Sequence, residues 1–380
     1  MEFNYNEQQE MIREMARKYA QEQVAPRIEE IESADKFPED LFRILKEMGF
    51  MGINLPEKYG GMDLGFLSKV IMLEEISKVS PSLGTLLAVS LLPLEAILAY
   101  GTDEQKDAWL ADGIQGKYKA SFAFTEADTG SDPKMLTTVA KKQQDGTYRI
   151  NGMKRFISNA AYEGPIVLFC KEAETGQCTA FIIKKFTKGY SLSTPWKKVG
   201  LQGSHIYDVF FDDVVAKEED ILGAHGQGFE ILIGATAYGK MDFSAVFTGA
   251  MDGAYELAVK YAKEKKVRDK PISKFQTIQV NIARIAANVK AAKLLLFETA
   301  YEADTISDVA KVQGSTALLK GYIADVAPET TLMSLNILAS YGVTEEYQVE
   351  RLMRDTLIAP NVEGAGDVQR IISGNYILRH

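Results

Sequence analysis

At 380 residues the chain exceeds the roughly 250 to 300 residues that one hydrophobic core organises, so two or three domains are predicted. A 46% hydrophobic and 25% charged composition with 11 prolines excludes disordered and collagen-like chains. The net charge, 43 basic less 52 acidic residues or -9, repels a phosphate backbone and argues against nucleic acid as a partner.

In the first 118 residues apolar side chains recur at helical spacing. Met11, Ile12, Met15 and Tyr19 form one run, Leu41, Phe42 and Leu45 a second, and Leu67, Val70 and Ile71 a third. Gly49, Gly52 and the segment KYGGMDLG break them. The start, MEFNYNEQQEMIREMARKYA, has neither an apolar signal core nor an acid-poor transit pattern, and a cytoplasmic location is expected. The most apolar stretch, SLGTLLAVSLLPLEAILAYG, is interrupted by Ser90, Pro93 and Glu95 and reads as a kinked core helix, with no membrane involved.

From about Lys119 the period becomes two, in KASFAF, TTVAKK, TYRING, PIVLFC, TAFIIKK and YDVFFDDVV, separated by turn signals. Closely spaced strands without intervening helices predict an antiparallel sandwich or barrel in place of a Rossmann sheet. Cys170 and Cys178 lie in this region without histidines at metal-ligand spacing, so neither a disulfide framework nor a metal site is expected. The string GAHGQG has the wrong order for a dinucleotide fingerprint.

Helical spacing then returns. Ile278, Ile282, Ile285, Val289, Ala292 and Leu296 step by three and four along a bundle helix of about thirty residues. Separate helices are predicted at Val309 to Val326 and Thr331 to Tyr341. The expected fold is therefore α+β and multidomain: an N-terminal helical bundle (1–118), a central antiparallel β sandwich or barrel (119–225) and a C-terminal four-helix bundle (226–380).

Three histidines, His205, His225 and His380, are too few to favour a histidine triad, so a carboxylate is the better candidate base. The loop in FAFTEADTGSDP offers backbone N–H groups and the Thr125 and Ser131 hydroxyls to a polar ring or phosphate, although a capped turn is the plainer reading. RFISNAA places an aromatic and a hydroxyl two apart on one strand face. Glu363, in APNVEGAGDVQR, sits among apolar and glycine residues that can desolvate it and raise its pKa towards that of a base, although most loop glutamates are simply solvated.

Helical, β and helical order, with FAFTEADTGSD, DGTYRINGMKRFISNA, DVFFDDVV before LGAHGQGFE, YAKEKKVRDKPISKFQ, ERLMRD and VEGAGDVQR in sequence, resembles the acyl-CoA dehydrogenase family from about residue 4 onward. The resemblance implies noncovalent FAD and an acyl-CoA or acyl-carrier thioester stacked on its ring. It implies that Glu363 takes the α-proton while a β-hydride passes to flavin N5, giving the 2,3-enoyl thioester. The Glu363 backbone N–H and a ribityl hydroxyl would stabilise the enolate-like oxygen. Some members carry the base on the helix opening the last domain, and there this chain has Gly239 beside Lys240, where arginine is common.

On the same ground Phe122, Phe124, Thr125, Ser131, Phe156 and Ser158 would hold the flavin ring, Phe156 and Ser158 standing for a frequent Trp and Thr. Ser131, Lys240, Glu363 and Gly364 would meet substrate. Lys265, Arg268, Gln276, Asn336 and Ala365 match positions that reach the FAD of a neighbouring subunit. There the family commonly has Arg-x-x-Phe-Gly where this chain has Lys265, Arg268 and Asp269, and Gln-x-x-Gly-Gly where it has Asn336, Ala339 and Ser340. Ala365 replaces a threonine. Lys265 and Arg268 could still pair with the pyrophosphate, or Asp269 with Ala339 and Ser340 could weaken FAD binding or shift it to another partner chain.

The implied partners are further copies in a homotetramer, or a related chain in a hetero-oligomer, and an electron-transferring flavoprotein. An enoyl-thioester reductase, an oxidase and an FAD-deficient subunit stay open as alternatives. No arginine lies between Ser80 and Lys106, which disfavours a dicarboxylic substrate. The Leu83 to Leu92 stretch either lines the acyl cavity or packs the core.

Overall fold

The computed structural model describes residues 5–129 and 135–379. The N-terminal helices are α1 (Glu7–Tyr19), α2 (Ile28–Ser33), α3 (Glu39–Glu47), α4 (Gly65–Ser77), α5 (Pro81–Tyr100) and α6 (Asp103–Ile114). Asn6 caps α1 and Thr102 caps α6, each in a reciprocal bond with the glutamine three residues on. Helix α5 is long and apolar enough to cross a membrane, yet nearly all its residues are buried by neighbouring elements. Leu83, Leu86, Leu87 and Leu91 belong to a core shared with α4 and the C-terminal helices.

The sheet follows: β1 (Ser121–Ala123), β2 (Val139–Lys142), β3 (Tyr148–Ser158), β4 (Pro165–Glu172), β5 (Cys178–Lys184), β6 (Tyr190–Leu192), β7 (Ile206–Ala216) and β8 (Ile221–Leu222). The order is β6-β7-β3-β2-β4-β5-β8, with β1 also on β4. Pairing is mostly antiparallel, but β1 and β2 both run parallel to β4, one at each end of that strand. The solid apolar run of β4 follows from burial on both faces. Val167 and Phe169 pack towards α5, α6 and the start of the C-terminal domain, while Leu168 and Cys170 face the interior of the sheet domain. Cys170 and Cys178 accordingly point into different clusters, and both are free thiols.

The C-terminal part contains α7 (Gly228–Glu264), a hairpin of β9 (Lys266–Val267) and β10 (Lys270–Pro271), then α8 (Gln276–Thr305), α9 (Val309–Leu338), α10 (Val349–Thr356) and α11 (Gly366–Arg379). The two helices expected at Val309 to Val326 and Thr331 to Tyr341 are one. Pro328 removes a single backbone donor inside α9, and burial of Ile323, Ala327 and Leu335 on its packed face outweighs that loss. The seam on α8 is as expected, with Ile285, Val289, Ala292 and Leu296 buried and Ile278 and Ile282 at its edge.

Candidate active site

Glu363 lies in the loop between α10 and α11. Helix α10 is fixed first: Arg354 donates to the Val199 carbonyl at 3.2 Å, and the buried Asp355 accepts from the Leu201 N–H at 2.5 Å. The loop is then drawn inward by Lys320, whose buried Nζ donates to the Ala359 carbonyl at 2.7 Å, and closed by Gly366 N–H donating to Pro360 O at 2.9 Å. Glu363 and Gly364 both adopt positive φ, 51° and 89°, and the two left-handed residues turn the carboxylate towards α7.

There it meets Gly239, where an added Cβ would lie 3.0 Å from Glu363 Oε2. Burial pushes the Glu363 pKa up, opposed by the Lys240 and Lys320 ammonium groups. The same burial pushes Lys240 down, and pushes Lys320 down to about 8. A buried carboxylate with two lysines nearby is a base raised above ordinary glutamate, the lysines limiting the rise. Because glycine at 239 is what leaves room for it, Gly239→Val is expected to displace the carboxylate and lower turnover by roughly 10-fold or more. Steady-state kinetics at unchanged flavin content check this.

The ring-side residues come together through the backbone. Arg155 N–H donates to Thr125 O at 2.8 Å, and Ser121 Oγ donates to Ser158 O at 2.9 Å. Lys154, buried, donates to the Phe124 carbonyl at 3.1 Å and to Glu126 at 2.7 Å. Burial works against the Glu126 carboxylate, yet Lys154 and hydrogen bonds from Thr137 and Thr138 hold its pKa down to about 2. Phe122 and Phe124 pack against Phe169 at 4.9 and 5.8 Å between ring centroids.

The even alternation expected along RFISNAA is broken by a register shift between Lys154 and Ile157, with Phe156 at φ 60°. That bulge re-aims Phe156 outward. Its ring is 48% exposed and stands 5.4 Å from Trp196, itself 42% exposed. An uncovered aromatic pair beside a polar, lysine-braced loop fits a planar heterocycle such as a flavin ring. Ser131 falls in 130–134, outside the described residues.

The adenosine-side candidates divide. Lys265 lies over the Tyr341 ring at 4.8 Å, which joins the start of the β9–β10 hairpin to the segment after α9. Arg268 and Asp269 form the exposed hairpin tip, with φ of 48° and 63°, and Gln276 and Asn336 are exposed on α8 and α9. Ala365 stands apart from them, between Glu363 and Gly366, the latter packing on Ala324. Of the three residues standing where glycine is common, Asp269 and Ala339 keep positive φ and Ser340 does not: Asp269 has φ 63°, and Ala339 has φ 51° and ψ -129°. Ala339→Gly is therefore expected to stabilise the protein by about 1 kcal/mol, strain relief outweighing the added chain entropy, and to raise Tm by roughly 2 °C. Thermal unfolding checks it.

Near the base lies a charge cluster of which Lys69 and Asp242 escape the sequence reading. Lys69 on α4, Glu95 on α5 and Asp242 on α7 form a buried ion cluster, with Lys69 Nζ 2.5 Å from Glu95 and 2.8 Å from Asp242. Their signal was a charge inside each of three apolar stretches, and only Glu95 had been noted there. Among the described residues no group of three or more His, Cys, Asp or Glu side chains could hold a metal.

Two helical domains around a sheet, a buried carboxylate on the last loop and an open aromatic face fit a flavin-dependent oxidoreductase. Comparison with known proteins identifies which. The chain matches the acyl-CoA dehydrogenase N-terminal domain over residues 6–117, the middle domain over 121–214 and the C-terminal domain over 226–378. It is 33% identical to the 3-(aryl)acrylate reductase of Clostridium sporogenes over 99% of this chain and 100% of that one. It is 32% identical to the short-chain specific acyl-CoA dehydrogenase of Clostridium acetobutylicum over the full length of both. The butyryl-CoA dehydrogenase structure from Megasphaera elsdenii superposes with a TM-score of 0.95 at 30% identity, covering 100% of each chain. The protein belongs to the acyl-CoA dehydrogenase family and is an FAD-dependent oxidoreductase.

Proposed function

We propose that this enzyme interconverts an acyl-CoA and its 2,3-enoyl thioester with Glu363 as the α-proton base. The observation that carries the reading is the Glu363 carboxylate, turned against Gly239 and desolvated between Lys240 and Lys320. An α-proton of a thioester is weakly acidic, so its removal near neutral pH needs a raised carboxylate and a stabilised enolate oxygen. The Glu363 backbone N–H donates to no partner among the described residues, which leaves it available for that oxygen. Gly364 gives the thioester close approach, and Lys240 and Lys320 oppose the rise in the pKa of the base. Phe122, Phe124, Thr125, Phe156 and Ser158 would hold the ring, and Lys265, Arg268, Gln276 and Asn336 would serve the adenosine side between subunits. Bound FAD supplies the hydride acceptor in the oxidising direction and the donor in the reducing one.

The matches to a caffeyl-CoA reductase–Etf complex subunit of Acetobacterium woodii and to a chain in an electron transferring flavoprotein structure from Acidaminococcus fermentans support an electron-transferring flavoprotein as redox partner. A cytoplasmic homotetramer serving fatty acid metabolism completes the proposal. The exposed apolar residues Phe275, Val280, Leu332, Tyr341 and Val343 support association with a further chain. Native mass measures the assembly. Anaerobic titration of the yellow holoenzyme tests the reaction: acyl-CoA is expected to bleach the flavin, and a spectrum that no acyl thioester alters would overturn it.

A further inference from the structure

Beyond the base, α7 carries a second polar feature on the same face. Asp242 follows Gly239 by three residues, so its side chain lies about 4.5 Å further along the helix axis and on the side that meets Glu363. Lys69 joins Asp242 to Glu95, and Asn54 Nδ2 donates to Glu95 Oε1 at 2.7 Å. Lys69 and Asp242 are fully buried and Glu95 is 7% exposed. Glu95 Oε2 and Asn54 Oδ1 are buried without a hydrogen-bond partner, and Asp242 Oδ1 has only its ion pair with Lys69. Beside them Tyr238 stacks on Phe66 at 4.4 Å with the rings 6° apart, a flat wall over which Lys69 also lies, 5.0 Å from the Phe66 centroid.

We propose that this cluster is the distal end of the acyl pocket and selects a short acyl thioester ending in a hydroxyl. The inference rests on the reaction assigned to Glu363 and takes the acyl group from that carboxylate along α7, past Gly239 towards Asp242. An alkyl end would offer no donor to Glu95 Oε2 or Asn54 Oδ1. A distal carboxylate would meet the two acidic side chains and the Asn54 carbonyl oxygen, while a hydroxyl donates to Glu95 Oε2.

The test uses holoenzyme with matched CoA thioesters: pentanoyl against 5-hydroxypentanoyl, 3-phenylpropanoyl against 3-(4-hydroxyphenyl)propanoyl, and glutaryl. In at least one pair the hydroxylated member is expected to have kcat/KM at least roughly 10-fold higher. The ratio should collapse in Glu95→Gln, and in the all-apolar triple Lys69→Met, Glu95→Leu, Asp242→Leu, at unchanged flavin content. Calorimetric binding to Glu363→Gln holoenzyme reads the same ratio as Kd without turnover, so failure of the assigned reaction and failure of the pocket are distinguishable. Equal or better use of both unsubstituted thioesters, a preference for glutaryl-CoA, or a ratio that survives in Glu95→Gln would overturn the proposal.

Discussion

Glu363→Gln is expected to lower kcat by on the order of 10²- to 10⁴-fold while leaving FAD bound and the fold intact. Glutamine keeps the shape of the side chain and its position against Gly239, so what is lost is proton abstraction, whose worth in enzymes is of that size. No second carboxylate stands where some relatives carry theirs, because that position is Gly239. In the wild type the same base sets an acid limb. Burial raises the Glu363 pKa, so activity should fall as pH drops through a midpoint above the ordinary glutamate range. A midpoint at the ordinary glutamate value would mean that the carboxylate is solvated.

Lys69→Met is expected to destabilise the protein by about 3–5 kcal/mol, a loss on the order of 10 °C in Tm, because it removes from the core the ammonium group that both Glu95 and Asp242 contact. The triple apolar replacement should be far milder, since desolvating three charged groups offsets much of what their attraction contributes. Asp242 adds a pH signature. Burial, with Glu95 and Glu363 adding to it against Lys69, pushes its pKa up to about 8. A carboxyl raised on folding contributes stability that is present below its unfolded value of about 4 and is lost as pH rises through about 8. Asp242→Asn should flatten the decline in Tm between those limits. A slope unchanged in the variant would show that Asp242 titrates normally.

The order of domains was legible in the sequence because it is written locally, whereas the last-loop glutamate reads locally as a solvated side chain and takes its role from the family resemblance. Period 3.6 and period 2 mark helices and strands, and Glu363 stands beside the glycine that its loop requires. What could not be read depends on distant pairing. Lys69 is 26 residues from Glu95 and 173 from Asp242, and no local pattern announces that three buried charges meet. Pro328 signals a break that the packing of α9 overrides. The bulge at Phe156 is set by pairing with β7, so the strand's alternation alone places that ring wrongly. The short strands β6, β8, β9 and β10, two or three residues each, carry no period at all.

The most direct measurement is exchange of the C2 hydrogen of a bound acyl-CoA with deuterium oxide, followed by mass spectrometry in wild-type and Glu363→Gln holoenzymes under anaerobic conditions. The account predicts exchange in the wild type that is lost in the variant although FAD and thioester both remain bound. Equal exchange in the two proteins would contradict it, since the α-proton would then be leaving to some other group.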